Sequence, residues 1–248
     1  MAWHGKSVSV VLPTYNEKDS IAAVIQGFVA TGYVDEVVVV NNNAIAGTDD
    51  EVRKTSARIA YERRQGFGYS VRCGLSEARG DLIVLSEPDG TFAPKDIIKL
   101  LAFADDFDLV LGTRTTREMI WEGANMGWFL RLGNYCVAKL VEVLFNTPSL
   151  TDVGCTMRLI RREALRALAP HFTIGGSQFN PEMVILAKAA GLRFVEVPLN
   201  YQPRVGTSSV TGNKLVALRV GLSMLVLIAK YRILTAVRPL PSRVPDLR

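Results

Sequence analysis

Short runs of valine, isoleucine and leucine recur along the first half of this chain, and between them the apolar residues switch to helical spacing. The runs are SVSVVL from Ser7, EVVVV from Glu36, ARIAYE from Ala57, DLIVLS from Asp81 and DLVLGTR from Asp108. β-Branched and leucine side chains with little polar alternation mark strands covered on both faces. The intervening segments read as helices: EKDSIAAVIQGFVA from Glu17, a turn or two from Asp49 capped by Thr48, Gly66 to Arg79 ending at Gly80, and Asp96 to Phe103 after Pro94. Strands alternating with helices at this spacing predict an α/β fold, a mostly parallel sheet flanked by helices.

The second half is patterned differently. Asn125 to Phe145 predicts a long helix. TDVGCTMRLIRREAL, from Thr151, predicts a loop that runs into a helix. Gln178 to Ala190 predicts another helix, ended by Gly191, and RFVEVPLNY a late strand. Lys214 to Tyr231 predicts a strongly apolar last helix, and the tail after Arg238 holds three prolines and is expected to fray. With no repeat and no linker, residues 1–212 are expected to form one domain, and residues 213–248 a helical C-terminal extension.

Composition narrows the function classes. With 248 residues and 48% hydrophobic side chains the chain can build a substantial core, which excludes general disorder. Cys73, Cys136 and Cys155 are few, odd in number and widely spaced, and His4 and His171 are the only histidines. That excludes a compact zinc knuckle and fits a reduced, cytoplasmic compartment. The net charge of +5 suits an anionic lipid or a phosphorylated substrate. Nucleic acid is not expected, because aromatic residues do not interleave with the basic ones. The first thirty residues lack a charged, apolar, then small-residue leader pattern, so export is not expected.

In parallel sheets, ligands bind beyond the carboxyl ends of the strands. Four polar clusters fall there: PTYNE, NNN, SEPDG and GTR. In SEPDGTF, Glu87 and Asp89 alternate in extended chain, Pro88 fixes its own φ, and Gly90 permits a sharp turn. Two oxygens so placed suit a hard divalent cation, which takes one or two carboxylates and completes its shell with phosphates and water. The competing reading of the same residues is a turn with solvated acids.

The ordered set of these motifs resembles glycosyltransferase family 2 enzymes of the GT-A nucleotide-sugar fold, most of all the polyprenyl-phosphate hexose synthases of the dolichyl-phosphate mannose synthase type. VVLPTYNE, VVVVNNNAIAGT, RRQGFGYSVRCGL, SEPDGTF, LGTR, TDVGCTMRLIRREAL, FNPEM and YQPRVGTSS follow in the family's order, over roughly residues 7 to 232. Two departures stand out. Glu87 replaces the first aspartate of the family's Asp-x-Asp metal motif, and Asn41 and Asn42 stand where acids are common.

The resemblance implies an inverting transfer from a UDP- or GDP-sugar to a polyprenyl monophosphate, in the service of cell-envelope glycan synthesis. It implies Mg2+ or Mn2+ at Glu87 and Asp89. It places Pro13, Tyr15, Glu17, Asn42, Gly66 and Gly68 around the nucleotide, and Arg114, Arg131, Arg158 and Arg204 around the donor diphosphate and acceptor phosphate. Chemically, an aromatic ring stacks on a base, a carboxylate accepts ribose hydroxyls, an amide pairs with a base edge, and helix-start glycines let backbone amides approach an anion. A guanidinium fork matches phosphate oxygens in pairs. The competing reading is surface solubility for the four arginines and a shaped turn for Pro13 and Tyr15.

An ionised phosphate acceptor needs no general base, whereas a sugar hydroxyl does. The carboxylates available for that role are Glu182 and Asp152. Glu182 either orders the site or holds a sugar hydroxyl, or else complements its helix dipole after Pro181. Gln202-Pro203-Arg204-Val205 does not fit the Gln-x-x-Arg-Trp motif of the family's processive members.

Leu215 to Ala229, with Lys214, Arg219 and Lys230, is shorter than the ~20 residues that span a bilayer. It reads either as an interfacial helix, peripheral on the inner face of the cell membrane, or as a core or homodimer-packing helix. A membrane-bound partner is an alternative anchor. Two further functions stay open: transfer to a glycan or small hydroxyl acceptor, and non-catalytic nucleotide-sugar binding. A nucleotidyltransferase is disfavoured, because VVLPTYNE lacks a glycine-rich loop.

Overall fold

A computed structural model describes residues 3–124, 126–206 and 214–237, the last segment with side chains only for 219–234. Among the described residues, seven strands form one sheet: β1 (Val8–Thr14), β2 (Glu36–Asn41), β3 (Arg58–Tyr61), β4 (Leu82–Leu85), β5 (Leu109–Thr113), β6 (Arg158–Arg161) and β7 (Phe194–Pro198). Their order is β3-β2-β1-β4-β6-β5-β7. β6 runs antiparallel to both neighbours and every other pairing is parallel. The carboxyl ends of β1, β2, β4 and β5 therefore share one rim, as the polar clusters predict.

Eight α-helices fall among the described residues: α1 (Lys18–Ala30), α2 (Thr48–Arg53), α3 (Phe67–Glu77), α4 (Ile97–Leu101), α5 (Trp128–Phe145), α6 (Arg162–Leu168), α7 (Phe179–Ala189) and α8 (Lys214–Val237). They cover both faces of the sheet, because strand side chains alternate between two apolar layers. Val8, Val10 and Leu12 point into a layer shared with Ile21, Ile25 and Phe28 of α1. Val11, Val38, Val40, Ile83 and Leu85 point into the other, with Val71 and Leu75 of α3 and Met183 and Ile185 of α7.

Four local expectations are revised. TDVGCTMRLIRREAL holds β6 between its loop and its helix. Bracketed by arginines, the strand carries only Leu159 and Ile160 as apolar cues, one for each layer. Gly47, in a left-handed conformation, rather than Thr48, occupies the cap of α2. The long helix begins at Trp128 rather than Asn125, and Asn125 itself lies outside the described residues. The last helix continues to Val237, and Leu227, Ile228 and Tyr231 bury its inner face in the layer that holds α5 and α7. The expected proline tail and the GTSS stretch from Gly206 onward fall, beyond Gly206, outside the described residues.

Candidate active site

SEPDG leaves β4 at the centre of the rim. Gly90 adopts φ +80°, a left-handed conformation that an L side chain rarely takes, and this turns the chain back beneath the two acids. Asp89 is wholly buried. Its Oδ1 accepts from the Thr91 amide at 2.9 Å and the Thr91 hydroxyl at 2.6 Å. Its Oδ2 is buried with no hydrogen-bond partner. The nearest cation, Arg204 Nη2, lies 2.8 Å from Oδ2 as an ion pair without hydrogen-bond alignment.

The same guanidinium nitrogen lies 3.5 Å from Glu17 Oε1 and 4.0 Å from Glu87 Oε2. Burial, and then the adjacent Asp89 charge, push the Glu87 carboxyl up to about 7, against a hydrogen bond from Thr156. Among the described residues no group of three or more His, Cys, Asp or Glu side chains is arranged to hold a metal. The residues nonetheless fit a magnesium-type site, which needs only one or two carboxylates when the substrate brings phosphates. Asp89 presents one oxygen fixed by Thr91 and one without a hydrogen bond, and Glu87 stands beside it.

At the end of β1, Pro13 is half-buried and Tyr15 is 44% exposed, leaving its ring open at the rim. Glu17 Oε2 fastens the turn by accepting from the amides of Tyr15 and Asn16 and from the Thr14 hydroxyl. Only Oε1 faces the acidic turn.

Asn42 departs from the expected base contact. It is buried, its Nδ2 donates to the carbonyls of Glu62 and Arg64, and its Oδ1 accepts from Gly66 N and Gln65 Nε2. With its amide saturated, it ties the end of β2 to the loop before α3. Asn41 is engaged likewise, donating to Asp49 and accepting from Ala44 N. Gly66 and Gly68 do permit a close backbone approach, but the approaching group belongs to the chain. A Cβ on Gly66 would stand 2.3 Å from the Gly175 carbonyl oxygen, and one on Gly68 2.5 Å from that of Ile174.

The arginines separate. Arg114 forms a fork with Asp152, Nε to Oδ2 at 2.8 Å and Nη2 to Oδ1 at 3.0 Å, and lies over the Tyr201 ring. Burial alone would lower its pKa, but the Asp152 charge and hydrogen bonds hold it well above its usual value. Asp152, wholly buried, is committed to that fork and to Gly154 N. Arg158 is placed beneath the rim rather than on it. It is buried, donates to the carbonyls of Asn180 and Cys155, and burial lowers its pKa to about 10. Arg131 stands half-buried on the first turns of α5. Of the four, only Arg204 reaches the acidic turn by an ion pair.

Glu182 is buried in α7 and also differs from expectation. Its carboxylate accepts from Thr173 N, Thr173 Oγ1, Ile174 N and Tyr231 Oη, so it joins the loop after α6 to the last helix. Two features were not read from the sequence. One is the strap from Asn200 to Val205, which crosses the acidic turn through Gln202 N to Thr91 O and Val205 N to Asp89 O. The other is Asp96, which anchors that strap by accepting from Asn200 N and Nδ2. The QPRV stretch could have flagged the strap, since it gives Arg204 a proline-stiffened neighbour. Asp96 had no local signal.

Comparison with known proteins fits this geometry. The family model described as glycosyl transferase family 2 matches residues 9–169. An uncharacterized glycosyltransferase of Mycobacterium tuberculosis is 33% identical over 211 residues, 84% of this chain and 92% of the relative. An undecaprenyl-phosphate 4-deoxy-4-formamido-L-arabinose transferase of Edwardsiella ictaluri is 26% identical over 79% of this chain and 60% of its own length. Glucosyl-3-phosphoglycerate synthase from Mycobacterium tuberculosis, crystallised with Mn2+, UDP and glucosyl-3-phosphoglycerate, superposes with a TM-score of 0.71 at 19% identity, covering 92% of this chain and 80% of that one.

Proposed function

The chain belongs to glycosyltransferase family 2, and from that premise we propose that it moves a sugar from a UDP- or GDP-sugar to a polyprenyl monophosphate at the cytoplasmic face of a membrane. The observation that carries the reading is the acidic turn, where Asp89 Oδ2 is buried and left without a hydrogen bond beside Glu87. A buried carboxylate oxygen left so costs stability unless a ligand completes it. Glu87 and Asp89 would hold Mg2+ or Mn2+, and the ion supplies charge neutralisation for the departing nucleoside diphosphate. The Mn2+ and UDP bound by the structurally similar synthase support this part of the reading. Tyr15 offers an exposed ring for the base, and Glu17 Oε1 an acceptor for ribose hydroxyls.

Two observations favour a phosphate acceptor over a hydroxyl. Asp152 and Glu182, the carboxylates considered as general base, are both consumed by internal hydrogen bonds. An ionised phosphate attacks without a base. Second, α5 and α8 leave large apolar side chains in solvent: Trp128, Phe129 and Leu132 on one, Leu222, Val226 and Ile233 on the other. No helix of the described residues is long and apolar enough to cross a membrane. Such faces suit a helix lying in the lipid interface, and the undecaprenyl-phosphate transferase among the relatives supports a lipid acceptor.

The test is transfer of radiolabelled sugar from UDP- and GDP-sugars to undecaprenyl phosphate in anionic liposomes with Mn2+. Label entering the lipid phase, with Val226→Glu reducing both liposome binding and transfer, is the expected result. Label reaching only water-soluble hydroxyl acceptors would overturn it.

A further inference from the structure

Arg204 is the only cationic side chain in ion-pair contact with the acidic turn among the described residues, and its position there is built rather than incidental. Its backbone neighbours are tied to the turn itself, Gln202 N to Thr91 O at 2.8 Å and Val205 N to Asp89 O at 2.9 Å. The guanidinium is thereby held above three carboxylates at 2.8, 3.5 and 4.0 Å. It leaves Asp89 Oδ2 without an aligned hydrogen bond, so the contact is a charge contact that another cation can replace. Asp89 Oδ2 is buried, and two positive groups sharing it would repel strongly at low local dielectric.

We propose that Arg204 is a built-in counter-ion that occupies the divalent-cation position while the donor is absent, so that the metal enters together with the nucleoside diphosphate and not before it. The inference rests on the metal reading given above. A diphosphate supplies what Arg204 must be offered before it leaves Asp89, a paired set of anionic oxygens matching its fork. It also supplies ligands that the acidic turn lacks for completing a magnesium shell. Once released from the carboxylates, the guanidinium on its strap is free to meet phosphate oxygens. The exchange is electrostatic, and no covalent bond changes.

The experiment follows Mn2+ binding to the full chain by the loss of the free-ion electron paramagnetic resonance signal, with no nucleotide and with UDP, GDP or dTDP. Wild type is expected to bind Mn2+ weakly alone and about tenfold or more tightly with one nucleotide. Arg204→Met and Arg204→Gln should each bind Mn2+ about tenfold or more tightly than wild type without nucleotide, and Arg204→Lys should stay weak. Adding Asp89→Asn to Arg204→Met should abolish the gain. Nucleotide-free affinity within about twofold of wild type in both uncharged variants, with nucleotide-dependent binding intact, overturns the inference and leaves the metal reading standing. No Asp89-dependent Mn2+ binding by wild type under any condition overturns both.

Discussion

The acidic turn after β4 and the arginine-rich region around β5, β6 and α7 both put charge in or near the rim, but they treat it in opposite ways. At the turn, Asp89 Oδ2 has only a misaligned ion pair, and burial and the adjacent Asp89 charge push the Glu87 carboxyl up to about 7. Around β5 and β6, Arg114 and Asp152 satisfy each other in a fork, Arg158 donates to carbonyls through its two terminal nitrogens while its Nε stays unpartnered, and Glu182 accepts from Thr173, Ile174 and Tyr231. The turn leaves an acid oxygen that a cation could complete, while the charges of the other region are held mainly by the chain itself. The contrast matters because a buried charge is costly unless paired, and Asp89 is paired only by a misaligned contact whereas Arg114 and Glu182 are paired by aligned hydrogen bonds.

Four measurements test this difference. Asp89→Asn keeps Oδ1 for Thr91 but loses the charge, and turnover is expected to fall about 10³-fold with little change in melting temperature. A large melting shift with activity retained would put Asp89 in the scaffold class. Asp152→Asn should do the reverse in stability, costing about 3–5 kcal/mol in denaturant unfolding, because it strands the buried Arg114.

The third measurement concerns pH. Glu87 is raised to about 7 from 4.5 in the folded chain, so the folded state holds a proton that the unfolded state has released. Its contribution to stability is therefore greatest below pH 4.5 and is lost as pH rises toward 7, by about 1–3 kcal/mol. Glu87→Gln should remove that part of the slope, read as the difference between wild-type and variant denaturant midpoints across this range. The smallest effect is expected at Tyr15, which is 44% exposed and outside both apolar layers. Tyr15→Ala should weaken nucleotide affinity by about fivefold to tenfold at unchanged stability, measured by calorimetric titration.

The sequence was legible where apolar pattern and location coincide. The parallel strands β1, β2, β4 and β5 and the polar rim follow from valine-rich runs that each end in a polar cluster, a signal carried within a few consecutive residues. β6 was missed because a four-residue strand whose two ends are arginines carries too little apolar pattern, and its antiparallel pairing depends on β4 and β5, far away in sequence. The acids at the turn were read as a pair from their spacing.

The arginines, Asn42 and Glu182 were read from residue type and the family resemblance, and neither reveals whether a group's hydrogen bonds are already spent. Asn42 is saturated by the carbonyls of Glu62 and Arg64 and by the Gly66 amide, and Glu182 by a loop and a tyrosine 49 residues on. Those partners are set by the tertiary fold. Arg204 shows the converse, since only the strap brings it over Asp89.

The central claim is that the turn at Glu87 and Asp89 holds a divalent cation against a sugar nucleotide's diphosphate. Thermal unfolding in the presence of UDP-, GDP- and dTDP-sugars, with and without Mn2+, tests it most directly. One donor should raise the melting temperature only when Mn2+ is present, and Asp89→Ala should erase that rise. A donor-induced rise that is the same without Mn2+, or that survives in Asp89→Ala, would contradict it.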